Sequence, residues 1–507
     1  MTTHATPPDK ILIVGGGSAG WMVANELEHA WAKYGVEISL VESARIGTVG
    51  VGEGTTPSIR SWFRKLGIEE QEWMPACNAT YKCGISFPDW STVPGFESYF
   101  HPFYSDIDTE LALKFFDNCN HRRAGHNVPA HPDDYFVTAE LARQQRSPVP
   151  SRPLGFDHDY GYHFDAALLG EFLRERATSR GVRHIVDTIS SVELAEDGSI
   201  ARVQTADHGS LTADFYIDCS GMAGLLVQKA LQEPMISYKK YLRNNAAVAI
   251  PTALPDTENI SSETVSKALT YGWAWHIPLM SRFGNGYVYC SDYVTPEAAE
   301  AEFRDYLGAP AADSKALHLA WEPGRIENHW KKNCLAIGLS QGFLEPLEAA
   351  MLNVIQFSIE SFVSSFAEGE FTDRHRVSFN GGVNQLIDGI RDYLQLHYKL
   401  NSRQDSDYWR DCRENPELSR YLDALLQAWD GDGSFDEVMR SQQNIQAYKR
   451  TSWYCMLSGM GRYKAPHREP KGSSDKYVAW LRQQTAPRAD IFYPHATRLK
   501  QVYTNKN

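Results

Sequence analysis

The array Gly15, Gly17, Gly20 constrains this chain more than any other feature. It follows four apolar, strand-favouring residues, Ile11-Leu-Ile-Val14, and runs at once into the helical stretch Met22–Glu28. Such a run reads as a buried parallel strand. In a G-x-G-x-x-G turn the first glycine permits the tight bend and the second lets backbone approach a pyrophosphate. The third lets helix and strand pack closely. Ser18 and Ala19 fall inside the array, at the start of a helix whose free N–H groups and dipole favour phosphate. A second strand, Val36–Val41, ends in Glu42, about 20 residues past the glycines, where a carboxylate takes a ribose hydroxyl pair. A dinucleotide is expected at this end of the chain.

Charge narrows the other partners. The 507 residues carry 63 Asp and Glu against 50 Lys and Arg, a formal net charge of −13, which argues against nucleic acid and anionic membrane surfaces. Residues 1–10 are polar and proline-bearing, so no secretory signal is expected, and no apolar run reaches membrane-spanning length. The eight cysteines lack C-x-x-C spacing and read as reduced, buried thiols of a cytoplasmic protein, not metal ligands. Aromatic residues reach 12%, enough to line π-walled pockets, although large aromatics also fill cores.

After the second strand, Gly47–Pro57 sets four glycines among small residues, a composition suited to backbone that passes close to a ligand. Pro57 is expected to start a helix over 58–66, closed by Gly67. In Ala79–Phe87, alternation predicts one strand with Lys82 on the face opposite Tyr81 and Cys83. A lysine among small and apolar residues ordinarily snorkels to the surface. The sharper alternative is a desolvated amine with a catalytic role. Residues 91–156 read as an inserted, loop-rich covering segment with a short helix at 109–116. An amphipathic helix over 165–180 precedes Val182–Asp187, two runs around an Asp197-Gly-Ser199 turn, and a buried strand in 213–221.

A parallel nucleotide-binding sheet with an inserted antiparallel meander suits FAD-binding two-domain folds better than simple NAD dehydrogenases. The expected class is therefore α/β: an FAD-binding Rossmann-type fold of the glutathione-reductase or flavin-monooxygenase kind, with an inserted antiparallel sheet and a C-terminal helical region. Strands within 244–251, 274–278 and 286–291 would supply a substrate-side sheet. Residues 333–343 form a third strand–glycine turn, running into a helix from about 346 to 366. The organisation read is a core over 1–380, with Rossmann segments near 8–90, 160–225 and 325–370, and a mostly helical cap over 381–507.

Several motifs then coincide with one family. The fingerprint continuing into Gly20-Trp21, the loop Gly50-Val-Gly-Glu-Gly-Thr-Thr-Pro57, Trp273-Ala-Trp-His-Ile-Pro278, Asn333-Cys-Leu-Ala-Ile-Gly-Leu-Ser340 and Glu345-Pro-Leu-Glu348 resemble the flavin-dependent tryptophan halogenases. His397-Tyr-Lys-Leu-Asn-Ser-Arg403 with Asp407-Tyr-Trp409 resembles a family stretch in the helical region. The matches run from residue 11 past 450. W-x-W-x-I-P is the most specific, because ordinary flavin monooxygenases lack it; alone, Trp273 and Trp275 are core aromatics at strand spacing.

The resemblance implies chemistry with O2, a halide ion (bromide or chloride) and reduced FAD supplied by a separate NADH-dependent flavin reductase. Hypohalous acid would pass through a tunnel to an aromatic substrate held apart from the flavin. The family's essential lysine falls on Lys82, which would polarise hypohalous acid by hydrogen bond or carry the halogen as a haloamine. The essential glutamate falls on Glu348, which would orient the oxidant and take the proton from the arenium intermediate. Read alone, Glu348 is a carboxylate in the first turn of a helix, with Glu345 as a competitor; family register prefers Glu348. By the same resemblance Gly15, Gly17, Ser18, Ala19, Gly20, Glu42, Arg45, Gly52, Glu53, Thr55, Val186, Gly338 and Leu339 hold the flavin. Tunnel and substrate fall to His101, Phe103, Trp273, Trp275, Ile277, Pro278 and Trp453, and a homodimer completes the family expectation.

The halide would lie on the backbone N–H groups of Ala350 and Met351, an anion site at a helix N-terminus. Here the chain departs from the family, whose tryptophan enzymes carry Ser-Thr-Gly or similar where this one has Ala349-Ala350-Met351. Amides survive that change and hydroxyls do not, so bromide is expected to be handled at least as well as chloride. Tyr99-Phe-His-Pro-Phe103 and Ser452-Trp-Tyr-Cys455 suit a flat, electron-rich ring. No residues stand out to grip an amino acid's carboxylate and ammonium, so the expected substrate is an indole-like or other electron-rich aromatic rather than free tryptophan. An FAD-dependent aromatic hydroxylase, which would not need Lys82, and a redox-responsive flavoprotein without turnover share the glycine loops.

Overall fold

A computed structural model describes residues 6–45, 52–431, 433–441, 447–466 and 474–504. The strand Lys10–Val14 lies inside a six-stranded sheet, between Glu37–Glu42 and Phe215–Asp218. Arg183–Val186 extends the sheet beyond Glu37–Glu42, and Cys334–Ala336 extends it beyond Phe215–Asp218, all in parallel. A short antiparallel strand, Trp330–Lys331, closes one edge. Ile11 and Ile13 pack with Trp21 and Leu27 of the helix Ser18–Trp31 on one face, while Leu12 and Val14 meet Val41, Ile185 and Leu226 on the other. Burial on both faces is why this strand reads as an unbroken apolar run.

The helix Ala166–Ser179 lies beside Ser18–Trp31. Asp165 caps it, Oδ1 accepting from the N–H groups of Ala167 and Leu168 at 3.0 and 3.4 Å. The hairpin Ile189–Leu194/Ile200–Thr205 turns at Gly198, φ +79°, as the Asp-Gly signal predicts. The helix Ser58–Leu66 likewise ends on Gly67 in the left-handed region, φ +66°. Of the glycine loop, residues 47–51 lie outside the described residues.

An eight-stranded sheet carries the other half of the site. Its core is the antiparallel run Glu263–Leu269, Gly272–Pro278 and Arg282–Tyr289, joined by Ala246–Ala249 and Leu317–Ala320 on one side and by Gly84–Ser86 and Phe100–Pro102 on the other. The helix Met351–Glu368 packs on Arg376–Leu400, which in turn meets Arg450–Gly459; that last helix covers the strand Phe100–Pro102. Among the described residues no helix is long and apolar enough to cross a membrane.

Three expectations are corrected. The single strand over Ala79–Phe87 is two strands in two sheets: Thr80–Lys82 pairs with Gly161–Phe164, whereas Gly84–Ser86 joins the eight-stranded sheet. The chain crosses over at Cys83, whose N–H donates to Ser262 O at 2.7 Å, and Gly84 lets backbones close, since a Cβ there would lie 2.3 Å from His101 O. The segment 91–156 is more ordered than a loop-rich cover: its first helix runs Thr109–Arg123, and Val137–Arg143 and the strand Arg146–Pro150 follow. Partners distant in sequence account for the extension, among them Trp429 O, which accepts from Arg123 Nε at 2.8 Å. The helix expected from about 346 begins only at Met351, because Ala349 adopts φ +52° and its N–H closes a turn on Pro346 O at 3.0 Å.

Candidate active site

At the glycine turn, each glycine has a different reason for lacking a side chain. Gly15 adopts φ +111°, and a Cβ would lie 2.1 Å from Cys219 O; one on Gly20 would lie 1.9 Å from Gly15 O. A Cβ on Gly17 meets nothing within 4 Å. The first and third glycines therefore serve packing, and the second faces open room at the helix N-terminus, beside Ser18 and Ala19. Glu42 reaches back across the turn: a Cβ on Gly16 would meet its Oε2 at 1.9 Å, while its Oε1 contacts His184 Nε2 at 2.8 Å. Gly338, φ +76°, abuts Ala19 so closely that a Cβ would approach it to 2.8 Å. This brings the Gly338–Ser340 turn, with half-buried Leu339, against the first helix. Val186 and Arg45 are exposed near Glu42.

Glu53 and Gly54 pair with Phe164 and His163, and Thr55 exchanges hydrogen bonds with Tyr162, both at 2.9 Å. Gly52, φ +79°, passes 3.2 Å (from a built Cβ) from Gly284 Cα of the eight-stranded sheet. Burial and then the charge of Asp165 push the Glu53 carboxyl up to about 7. The open cradle at Gly17, the carboxylate across it and the second turn at Gly338 fit a dinucleotide in its pyrophosphate and ribose parts.

Lys82 overturns the surface reading. It is 1% exposed, at the end of a strand in which Thr80 and Tyr81 are also buried, so alternation does not separate an inside from an outside. Burial drives its ammonium down to about 8, with the negative charge of Glu348 holding it from falling further. Nζ sits over Gly54, where a Cβ would lie 3.0 Å away, and 5.4 Å from the centroid of the half-buried Phe103 ring. Next to it His163 is held well below its ordinary value by burial and by Lys82, and bridges Thr80 and Thr264 through its two nitrogens at 3.1 and 2.8 Å. It adds no competing charge.

Glu348 lies three residues before the helix, not in its first turn, and is buried. Its Oε2 is 3.2 Å from His101 Nδ1, and its Oε1 stands 3.0 Å from His397 Nε2, a close approach without hydrogen-bond alignment. Burial alone would raise this carboxyl; His101 and His397 overcome it and hold the group at about 2. Glu345 has the opposite surroundings. Burial pushes it up to about 7 against hydrogen bonds from neutral donors, including Asn244 Nδ2 at 2.8 Å and Trp273 Nε1 at 3.3 Å.

Trp273, Trp275, Ile277 and Pro278 are all buried on one strand. The two indoles stand 6.2 Å apart, and Trp275 lies across Gly286, where a Cβ would meet its ring at 2.0 Å. Trp453 packs edge-on to Tyr393 at 5.0 Å. Tyr393 is stacked on Tyr448 at 3.6 Å and lies 6.0 Å from His101. Ala350 caps the helix Met351–Glu368 and Met351 is its first residue, so their N–H groups belong to the turn that has no intrahelical partner.

Sequence reasoning missed His397, quoted only as part of a family stretch, together with Tyr393 and Tyr448. Lys82 and His101 come from two strands, Glu348 from a turn and His397 from a helix far along the chain, and no local pattern marks a histidine 49 positions after a glutamate as its partner.

The tryptophan halogenase family model matches residues 10–474. The chain is 40% identical over 430 residues to tryptophan 6-halogenase SttH of Streptomyces toxytricini, covering 80% of this chain and 81% of that protein. It is 38% identical over 522 residues to 7-chloro-L-tryptophan 6-halogenase KtzR of Kutzneria sp. (strain 744), covering 97% and 99%. Among solved structures, Tar14, a tryptophan C-6 flavin-dependent chlorinase from taromycin biosynthesis, superposes with a TM-score of 0.84 at 35% identity, covering 98% of this chain and 99% of that one.

Proposed function

The chain belongs to the tryptophan halogenase family and is a flavin-dependent halogenase, and from that premise we propose that Lys82 and Glu348 carry its halogen transfer to an indole-like or other electron-rich arene. One observation supports this above the rest: a fully buried amine, lowered to about 8, lies in the field of a buried carboxylate whose ionised form His101 and His397 favour. A hydroxylase has no use for that amine, and the hydroxylase alternative is not favoured.

The Gly15–Gly20 turn and Glu42, with Gly338 opposite, would hold reduced FAD, which with O2 would supply the oxidising equivalents that turn halide into hypohalous acid. The N–H groups of Ala350 and Met351 bind the halide, bromide at least as well as chloride. Lys82, lowered to about 8, either donates a hydrogen bond to hypohalous acid from its ammonium or, as the free amine, takes the halogen from it, the oxygen–halogen bond breaking and water leaving with the amine proton. Its burial keeps out bulk water, which would return a haloamine to hypohalous acid and let that acid diffuse away. Glu348 removes the ring proton after halogen addition. A carboxylate held at about 2 is a weak base, but an arenium ion is a far stronger acid, and a weak base that stays ionised suffices. Trp273 and Trp275, with Ile277 and Pro278, wall the flavin side from the arene; His101, Phe103 and Trp453 frame the ring. We take 1–380 as the core and 381–507 as the cap, bridged by the helix Arg376–Leu400, in a cytoplasmic enzyme served by a separate NADH-dependent reductase.

The test supplies reductase, NADH, FAD, O2 and bromide with an indole panel, products being read by mass spectrometry. A bromine isotope doublet that disappears in Lys82→Ala is the expected result. An added oxygen without bromine, or bromination that survives Lys82→Ala, would overturn the proposal.

A further inference from the structure

Thr80, His163 and Thr264 form a buried chain of hydrogen bonds beside Lys82. Thr80 lies on the lysine's own strand and His163 on Gly161–Phe164, which pairs with it, while Thr264 belongs to the eight-stranded sheet. Thr80 Oγ1 is 2.7 Å from the carbonyl oxygen of Pro278, the last residue of the strand that bears Trp273 and Trp275. A carbonyl only accepts, so the one hydroxyl hydrogen of Thr80 lies on that bond. The same Thr80 oxygen is 3.1 Å from His163 Nδ1. With the hydroxyl hydrogen committed elsewhere, Nδ1 is the donor and carries the ring hydrogen.

Charge decides whether Nε2 carries a second hydrogen. The ring is fully buried, and the groups whose charges reach it, Lys82, His495 and His276, are all bases that repel a further proton. His495 is itself fixed as a neutral ring: its Nε2 accepts from the Tyr81 N–H at 3.2 Å, and its Nδ1 lies 3.0 Å from the carbonyl of Ile260. His163 is therefore neutral, with hydrogen on Nδ1 and a bare Nε2. A bare nitrogen only accepts, and its partner at 2.8 Å is the Thr264 hydroxyl. The hydrogen of Thr264 thus points at His163.

Thr264 Oγ1 and Lys82 Nζ flank one point: a Cβ on Gly54 would lie 3.6 Å from the first and 3.0 Å from the second. Gly54 is also the residue opposite His163 in the strand pair. We propose that His163 is a positioning residue for Lys82: it ties the lysine's strand through Thr80 to the tryptophan strand, and it draws the Thr264 hydrogen to itself, so that no hydroxyl hydrogen beside the amine is left to cap its lone pair. The proposal rests on the reading of Lys82 given above. The Thr264 oxygen keeps its own lone pairs, which accept and do not donate. With the opposite tautomer, or without the ring, the Thr264 hydroxyl would turn to the amine and compete with the incoming halogen for the same electron pair.

The experiment uses the full-length protein with 15N-labelled histidine at pH 7.5. The ring signals of His163 are identified by their loss in His163→Asn, or by their shift in Thr264→Val should the first variant not fold. A protonated Nδ1 and a bare Nε2 are expected; the opposite tautomer, or two protonated nitrogens, overturns the proposal. Kinetics with bromide, an indole and a scavenger for escaping hypobromous acid give the second readout. His163→Asn keeps a donor for Thr80 but frees the Thr264 hydroxyl. Brominated indole should fall about tenfold, the worth of one hydrogen bond to the amine, while trapped acid rises and FAD affinity holds. Adding Thr264→Val removes the freed hydroxyl and should recover most of the loss, which a merely structural defect would deepen; no recovery overturns the proposal. Bromination that survives Lys82→Ala overturns the reading of Lys82 instead, whereas a bare Nδ1 overturns the role of His163 and leaves that reading intact.

Discussion

Replacing Lys82 with methionine should stabilise this protein at neutral pH while abolishing halogenation. Methionine reproduces the length of the buried stem and omits the charge. Burial lowers the Lys82 ammonium from its ordinary 10.5 to about 8, with Glu348 recovering part of the loss. That difference corresponds to about 3 kcal/mol against folding with the amine charged. The sign follows from proton binding. Between about 8 and 10.5 the unfolded chain keeps the proton and the folded chain releases it, so the stability of the unsubstituted protein rises with pH through that window, by about 1.4 kcal/mol per pH unit. Below about 8 the penalty is fully present, and above 10.5 it is gone. Lys82→Met should therefore gain about 3 kcal/mol at pH 7, the gain shrinking from pH 8 upward. Urea unfolding of both flavin-free proteins at pH 7, 9 and 10.5, followed by tryptophan fluorescence, measures it. A variant less stable at pH 7, or a gain that does not change with pH, would refute a desolvated ammonium at this position.

Four further outcomes follow from the same geometry. Glu348→Gln should lower product formation by about 10²- to 10⁴-fold without changing flavin affinity, measured by mass spectrometry and by flavin fluorescence titration. Gly286→Ala places a Cβ where the Trp275 ring lies and should destabilise the protein by about 1–3 kcal/mol; an unchanged melting temperature would contradict the ring's placement. Gly17→Ala should melt like the unsubstituted protein yet bind FAD more weakly, whereas Gly15→Ala, which strikes Cys219 O, should lose stability before flavin is added. With bromide and chloride supplied together at equal concentration, brominated product should at least equal chlorinated product. A strong chloride preference would show that the hydroxyls missing at Ala349 and Ala350 were not what sets halide choice.

Much of the nucleotide half was legible because its signals are local. Gly15, Gly17 and Gly20 act within six residues, Asp165 caps its own helix, and Gly198 and Gly67 sit at turns that their own φ angles require. Lys82 was not legible in that way. Periodicity assumes one buried face and one wet face, but Thr80–Lys82 is enclosed on both sides and changes sheets at the next residue, so alternation carries no information there. The late start of the helix at Met351 was hidden for a related reason. Leu347 to Phe366 has a helical apolar pattern, and only the left-handed Ala349, an unfavourable conformation for a residue with a Cβ, breaks it. That break turns Glu348 off the helix and toward the two histidines.

Glu345 and Glu348 make the same point in chemical terms. They are three residues apart, equally buried and identical in kind, and helix periodicity would have set them on one face with one role. The left-handed turn between Glu348 and the helix separates their neighbours instead. Glu345 receives only neutral donors, Tyr398, Asn244 and Trp273, and burial prevails, leaving a carboxyl at about 7. Glu348 receives two imidazoles and the field of a lysine, and falls to about 2. Two carboxyls whose surroundings push them in opposite directions divide the work of acid and base. Glu348 alone is ionised at every pH where Lys82 titrates, so it alone can take a ring proton throughout the working range. Glu345, which is half-protonated near pH 7, anchors the Trp273 indole. Glu345→Gln, which preserves an acceptor for Trp273 Nε1, should accordingly retain most of the halogenating activity that Glu348→Gln loses, and equal losses in the two variants would refute this division.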